Sequence, residues 1–167
     1  MAGSGWRVAG GGKKIGSSLP TTRDPQPAAR WADGWYIVPW QVIFRDIDTF
    51  GHVNNAVYFT YFEWARTSMW LELTGGSNST DVSFIVVRAE CDFRQQISME
   101  PIEIRVRIGD MRTTSFDTHY EIRTSNGQQI AAIGKVVVVL FDWKKQMKTA
   151  ITDELRKKVR LFQKEAE

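Results

Sequence analysis

The stretch between Asn55 and Gly75 constrains this chain more than any other. Ala56 to Thr74 carries Phe59, Phe62, Met69 and Leu73 at helical spacing, and Tyr58, Tyr61, Trp64 and Trp70 add rings around much of the remaining circumference. Asn55 is a good N-cap and Gly75-Gly76 a good stop, so the spacing predicts one long helix. A helix this apolar has to be covered on most sides. The rest of the chain must supply the cover.

It supplies strands. Tyr36, Val38, Trp40, Val42 and Phe44 alternate before the helix. After it, Val87, Ala89, Cys91 and Phe93 alternate with charged residues, as do Ile102, Ile104, Val106 and Ile108, then Phe116, Thr118, Tyr120 and Ile122. Asn126-Gly127 is a hairpin signal leading into Ile130–Phe141. Thr152 to Lys164 reads as a lysine-rich amphipathic helix with Leu155, Val159 and Phe162 on its apolar face. The order is strand, long buried helix, then four strands in hairpin succession. The fold class that satisfies both patterns is α+β: a curved antiparallel sheet wrapped around one central helix, plus a C-terminal helix.

Residues 1–34 are rich in Gly, Ser and Pro and show no period, so they read as a disordered or loosely attached tail ahead of a domain at 35–167. A cytoplasmic location is expected; organellar targeting by residues 1–34 is the competing reading, because no acid precedes Asp24. The run from Gly10 to Ser17 imitates a phosphate loop but has no Lys after Gly16 and no strand before it.

The inventory narrows the function. The chain has 167 residues, enough for one domain. Its net charge of +3 is uneven: residues 35–143 hold 9 basic and 13 acidic side chains, while both ends are basic. Neither end interleaves aromatics with its basic residues, so no nucleic-acid partner is expected. Cys91 alone forms no internal disulfide, and with only His52 and His119 there is no multi-ligand Cys/His metal site. No apolar run approaches the roughly 20 residues of a membrane span.

Chemistry concentrates in Arg45-Asp46-Ile47-Asp48-Thr49-Phe50-Gly51-His52-Val53-Asn54-Asn55. Two carboxylates, a histidine and two asparagines directly precede a helix N-terminus, where free N–H groups and the positive dipole end favour developing negative charge. An ester-type carbonyl polarised there, with a carboxylate to attack it or activate water, is a coherent hydrolytic arrangement.

The run D-x-D-x-x-G-H-V-N-N-x-x-Y, followed by F-E-x-A-R at Phe62 to Arg66, resembles the hotdog-fold acyl-CoA thioesterases of the 4-hydroxybenzoyl-CoA thioesterase type. Its H-V-N-N part is also similar to plant acyl-carrier thioesterases. The resemblance covers about residues 36–143. It implies a single hotdog domain that dimerises through its sheet, as a homodimer or a homotetramer built as a dimer of dimers, with active sites at the subunit interface. It implies hydrolysis of acyl-CoA or acyl-carrier thioesters with no cofactor, coenzyme A being part of the substrate. The family's catalytic aspartate falls on Asp48. The plant enzymes' Asn and His fall on Phe50 and His52, and Phe50 departs from that pattern. Another hotdog subgroup carries its carboxylate on the long helix, where Glu63 is the candidate.

The remaining roles follow from the residues. His52 is a general base or orienting group, or a hydrogen-bonded loop residue. Asn54 would orient substrate or water. Asn55 would cap the helix, with its N–H, and those of Val57 and Tyr58, as oxyanion donors. A tyrosine in the position of Tyr58 is more often a core residue than a site residue. Asp46 would brace the loop through Arg45 or Arg66, and Glu63 has Arg66 one turn later as an ion-pair partner. Arg88 and Arg94 could hold coenzyme A phosphates or pair with acids on the sheet. His119 alternates outward, and Cys91 inward as a small core residue. A non-catalytic hotdog protein that binds acyl-CoA is the alternative function.

Overall fold

The computed structural model describes residues 28–78, 81–124 and 127–164. The Gly10–Ser17 run and Asn126 lie outside them. Seven strands and two helices follow in order: β1 (Arg30–Ala32), β2 (Trp35–Gln41), α1 (Val57–Thr74), β3 (Phe84–Phe93), β4 (Pro101–Met111), β5 (Ser115–Thr124), β6 (Gln129–Asp142), β7 (Met147–Lys148) and α2 (Asp153–Lys164). A 3₁₀ turn at Phe44–Asp46 separates β2 from the polar loop, so the first strand stops short of Phe44, which is exposed.

All pairings are antiparallel, in the order β1-β2-β4-β5-β6-β3, with β7 added to β6. Two expectations are corrected. Arg30–Ala32, placed in the tail by sequence, pairs with β2 across a turn at Asp33-Gly34. Of the four long strands after α1, only β4, β5 and β6 follow one another as hairpins. β3 lies at the far edge beside β6, and β2 takes the place next to β4. The 94–100 link from β3 to β4 therefore crosses the sheet, anchored by Ile97, which is fully buried and accepts a hydrogen bond from the Val53 N–H.

The helix is covered as its composition requires. Tyr61, Phe62, Ala65, Met69 and Leu73 are buried in one core with Ile104, Val106, Phe116, Tyr120, Ile122, Val136 and Val138 from β4, β5 and β6. Phe62 stacks on Tyr120 with centroids 4.3 Å apart, and Trp70 lies nearly parallel to Phe116. Gly134 makes that approach feasible: a Cβ there would sit 2.4 Å from the Phe62 ring.

The opposite face of the sheet carries charge, mostly paired along strands. Arg105 pairs with Glu103, Arg123 with Glu121 and Arg88 with Glu90, while Arg107 lies over the Trp35 ring. α2 closes one end: Val159 is buried, Phe162 meets Trp31, Gln163 accepts from the Ile108 N–H, and Arg156 donates to the Met111 and Arg112 carbonyls.

Candidate active site

The loop before α1 is held as a tight hairpin. Ile47 and Val53 form a bridge, the Asp48 N–H donates to the His52 carbonyl at 2.9 Å, and the Gly51 N–H returns to the Asp48 carbonyl at 3.0 Å. Gly51 has φ +83°, a conformation that favours glycine. Asp48 Oδ1 accepts from the Phe50 N–H at 2.8 Å, which fixes the carboxylate and leaves Oδ2 without a hydrogen-bond partner among the described residues.

Asp46 braces this loop, but not through an arginine. Its buried carboxylate accepts from the Tyr61 hydroxyl at 2.9 Å and from the Ile43 N–H at 3.2 Å, both at Oδ2. Burial, then the hydrogen bond to Asp46, raises the Tyr61 phenol well above its ordinary range. Asn54, not Asn55, holds the turn into the helix: its Oδ1 accepts from the Ala56 N–H at 2.9 Å and its carbonyl from the Val57 N–H at 2.9 Å, while the cap position itself falls on Ala56. Asn55 is exposed, with no capping bond. The Val57 N–H is thus engaged and has nothing to give an oxyanion. Those of Asn55 and Tyr58 have no acceptor among the described residues.

A cleft of about 330 Å³ opens beside this helix start, lined by Asp48, His52, Val53, Asn55 and Tyr58 on one side and by Phe93, Arg94, Gln95 and Gln96 on the other. Asp48 and His52, four residues apart in sequence, are brought onto the same wall by the hairpin. Tyr58 is buried edge-on to Phe93 at 4.9 Å, and that burial pushes its phenol up to about 12. It is a neutral hydroxyl at physiological pH. Asn54, its Oδ1 engaged by the Ala56 N–H, does not line the cleft.

Other candidates fall elsewhere. Glu63 is exposed, lies away from the cleft, and makes no ion pair with Arg66, which turns inward to the Tyr120 hydroxyl instead. Arg94 reaches the cleft; Arg88 is on the outer face, 2.7 Å from Glu90. Burial pushes the Cys91 thiol up to about 11, Asp92 adding to it, so it stays protonated. His119 is half-buried, not fully solvated, and burial with Lys135 and Arg107 nearby lowers its pKa. Gln95 and Gln96 were not anticipated. Their only sequence signal is a polar pair directly after an alternating strand.

Among the described residues no group of His, Cys, Asp and Glu converges as a metal site, and no helix is long and apolar enough to cross a membrane.

A helix laid in a strongly curved antiparallel sheet, with a polar cleft at the helix N-terminus, defines a hotdog domain of the thioesterase class. Residues 42–159 match the model of the thioesterase-like superfamily, and the chain belongs to that family. It is 31% identical over 114 residues to the uncharacterized protein YsmA of Bacillus subtilis strain 168, spanning 68% of this chain and 77% of YsmA. Among solved structures, a thioesterase from Thermus thermophilus complexed with coenzyme A and zinc shares 27% identity with a TM-score of 0.67, covering 77% of this chain and 93% of that one. A predicted thioesterase from Bacillus stearothermophilus superposes with a TM-score of 0.70 at 23% identity, covering 77% and 96%. The 1,4-dihydroxy-2-naphthoyl-CoA thioesterase Slr0204 from Synechocystis gives 0.64 at 18% identity, covering 75% and 96%. These last two likenesses concern the fold.

Proposed function

We propose that the protein hydrolyses acyl-CoA or acyl-carrier thioesters to a free acid and a thiol, with Asp48 as the reacting carboxylate. The observation that carries this reading is that Asp48 and His52 line the same cleft as Asn55 and Tyr58, whose N–H groups at the start of α1 lack acceptors among the described residues. Asp48 Oδ2 either attacks the thioester carbonyl or takes the proton of a water that does. Both routes give a tetrahedral oxyanion, which the helix start stabilises. The C–S bond then breaks, and the thiolate leaves and takes up a proton; on the general-base route this gives the free acid directly, and on the nucleophilic route a water then cleaves the acyl–Asp48 anhydride to the free acid and the restored carboxylate. His52 orients the attacking group or passes that proton. No cofactor beyond the substrate's own coenzyme A enters this scheme.

Arg94, on the cleft wall and without an ion-pair partner among the described residues, suits a substrate phosphate better than Arg88, which Glu90 already occupies. Among the described residues the outer edge of β3 has no pairing strand, with Val86, Val87 and Phe93 each about half exposed, and Phe93 also lines the cleft. A second copy of the chain pairing there would bury these residues and complete the cleft. The test is thiol release from a panel of short, long and aromatic acyl-CoAs by wild type and by Asp48→Asn.

A further inference from the structure

Arg66 is a buried cation without a counter-charge among the described residues. It is 5% exposed, and its guanidinium stays protonated under any ordinary condition. Nη1 donates to the Tyr120 hydroxyl at 3.0 Å. Tyr120 in turn lies 2.8 Å from Thr118 Oγ1, which donates to the Val136 carbonyl at 3.1 Å. Burial raises the Tyr120 phenol, with Arg66 and Thr118 pulling more weakly the other way, so this partner is neutral. The Phe84 ring lies 5.4 Å from Cζ. Nε is buried with no acceptor, and no carboxylate among the described residues pairs with the group. A buried, half-satisfied guanidinium is costly to keep, and the cost is relieved where an anion meets it.

A cavity supplies the place. About 180 Å³ of space lies between α1 and the β3–β6 side of the sheet, walled by Phe59, Phe62, Ala89 and Val136, with Arg66 among its lining residues and Glu63 on its exposed side. This cavity and the candidate active site are two separate spaces along the seam between α1 and β3. As α1 advances from Tyr58 to Arg66, β3 runs back from Phe93 through Ala89 to Val86. Helical rise separates the two spaces by about 12 Å.

We propose that Arg66 is a specificity-determining residue: the seam takes an acyl group that ends in a carboxylate, its methylenes against Phe59, Phe62 and Ala89 and its far carboxylate on the free N–H groups of Arg66. This rests on the thioester-hydrolase reading and names its substrate class, the ω-carboxylated acyl thioesters.

The test compares suberoyl-CoA and dodecanedioyl-CoA with octanoyl-CoA and dodecanoyl-CoA, chosen because their extended chains bracket the spacing. Calorimetry on Asp48→Asn gives binding without turnover, and thiol release by wild type gives kcat/KM. A preference of roughly tenfold or more for at least one ω-carboxylated member over its plain counterpart is expected in both. Arg66→Met in the Asp48→Asn background should erase it, with circular dichroism checking the fold. Because the wild-type ratio needs no Arg66 variant, misfolding of that variant does not remove the test. Equal or reversed preference overturns the proposal and leaves thioester hydrolysis standing; it would assign Arg66 to a carboxylate of a second copy of the chain. A retained binding preference without thiol release from any substrate supports the anion site and overturns the hydrolase reading instead.

Discussion

The Tyr61 hydroxyl donates to Asp46 Oδ2 across 2.9 Å, tying the second turn of the central helix to the base of the loop that carries Asp48. The same carboxylate oxygen takes the Ile43 N–H, so one buried group fixes the loop's entry and its distance from the helix. Tyr61→Phe removes the hydroxyl donor and leaves Asp46 half satisfied. A stability loss of about 1–2 kcal/mol is expected by chemical denaturation. Thiol release should fall with it, because the Asp48 backbone loses its anchor. Unchanged turnover in a destabilised variant would mean that the loop is positioned by its own hairpin alone.

The Phe62–Gly134 contact predicts a compensating pair. Gly134→Ala places a methyl group against the Phe62 ring in the core, and overpacking of this kind costs about 1–3 kcal/mol. Phe62→Leu in the same chain should recover part of that loss. The double-mutant cycle of unfolding free energies measures the coupling, and additive losses would contradict it.

Asp117 gives the fold an acid-sensitive element. Its side chain is buried on the charged side of the sheet, 2.7 Å from Arg112 and 2.9 Å from Lys135. The hydrogen bond from Arg112, and then Lys135, outweighs burial and lowers its pKa from 3.8 to about 2. Because the folded value lies below the unfolded one, the stability it contributes is present above pH 3.8 and is lost as pH falls from there toward 2. The contribution is about 2 kcal/mol at neutral pH. Asp117→Asn should flatten the stability profile in that window and lower neutral stability, measured by urea titration across pH.

The legibility of this molecule in its sequence follows from range. Features set by local periodicity were readable: the helix up to Thr74, the alternation in β3 to β6, and the polar loop with Asp48 and His52. Strand order was not, because nothing in the alternation of Phe84–Phe93 says that its neighbour is β6 and not β4. Three residues are too few to show a period, which hid β1. Asn54 and Asn55 are interchangeable on paper as the residue that holds the helix start, and in the structure it is Asn54 whose side chain takes the Ala56 N–H. On spacing alone Arg66 is an ion-pair partner for Glu63, one turn away on the helix. Its inward turn depends on the Tyr120 hydroxyl, 54 residues away in sequence.

The free edge of β3 predicts an assembly. Val87 sits at a register shift in that strand and is 56% exposed. Val87→Lys puts a charge where edge pairing would occur. The variant should sediment as a monomer where the wild type sediments as a dimer or tetramer, and its thiol release should drop because Phe93 and the cleft lose their cover. A monomeric wild type would contradict the proposed assembly.

The central claim is that Asp48 performs thioester hydrolysis in the cleft at the start of α1. Thiol release by wild type and Asp48→Asn, measured on the same acyl-CoA panel with matched circular dichroism and sedimentation, tests it most directly. The account predicts turnover by the wild type and a loss of roughly a hundredfold or more in the variant, with fold and assembly intact. Equal turnover by the two proteins, or tight acyl-CoA binding by the wild type with no thiol released, would contradict it.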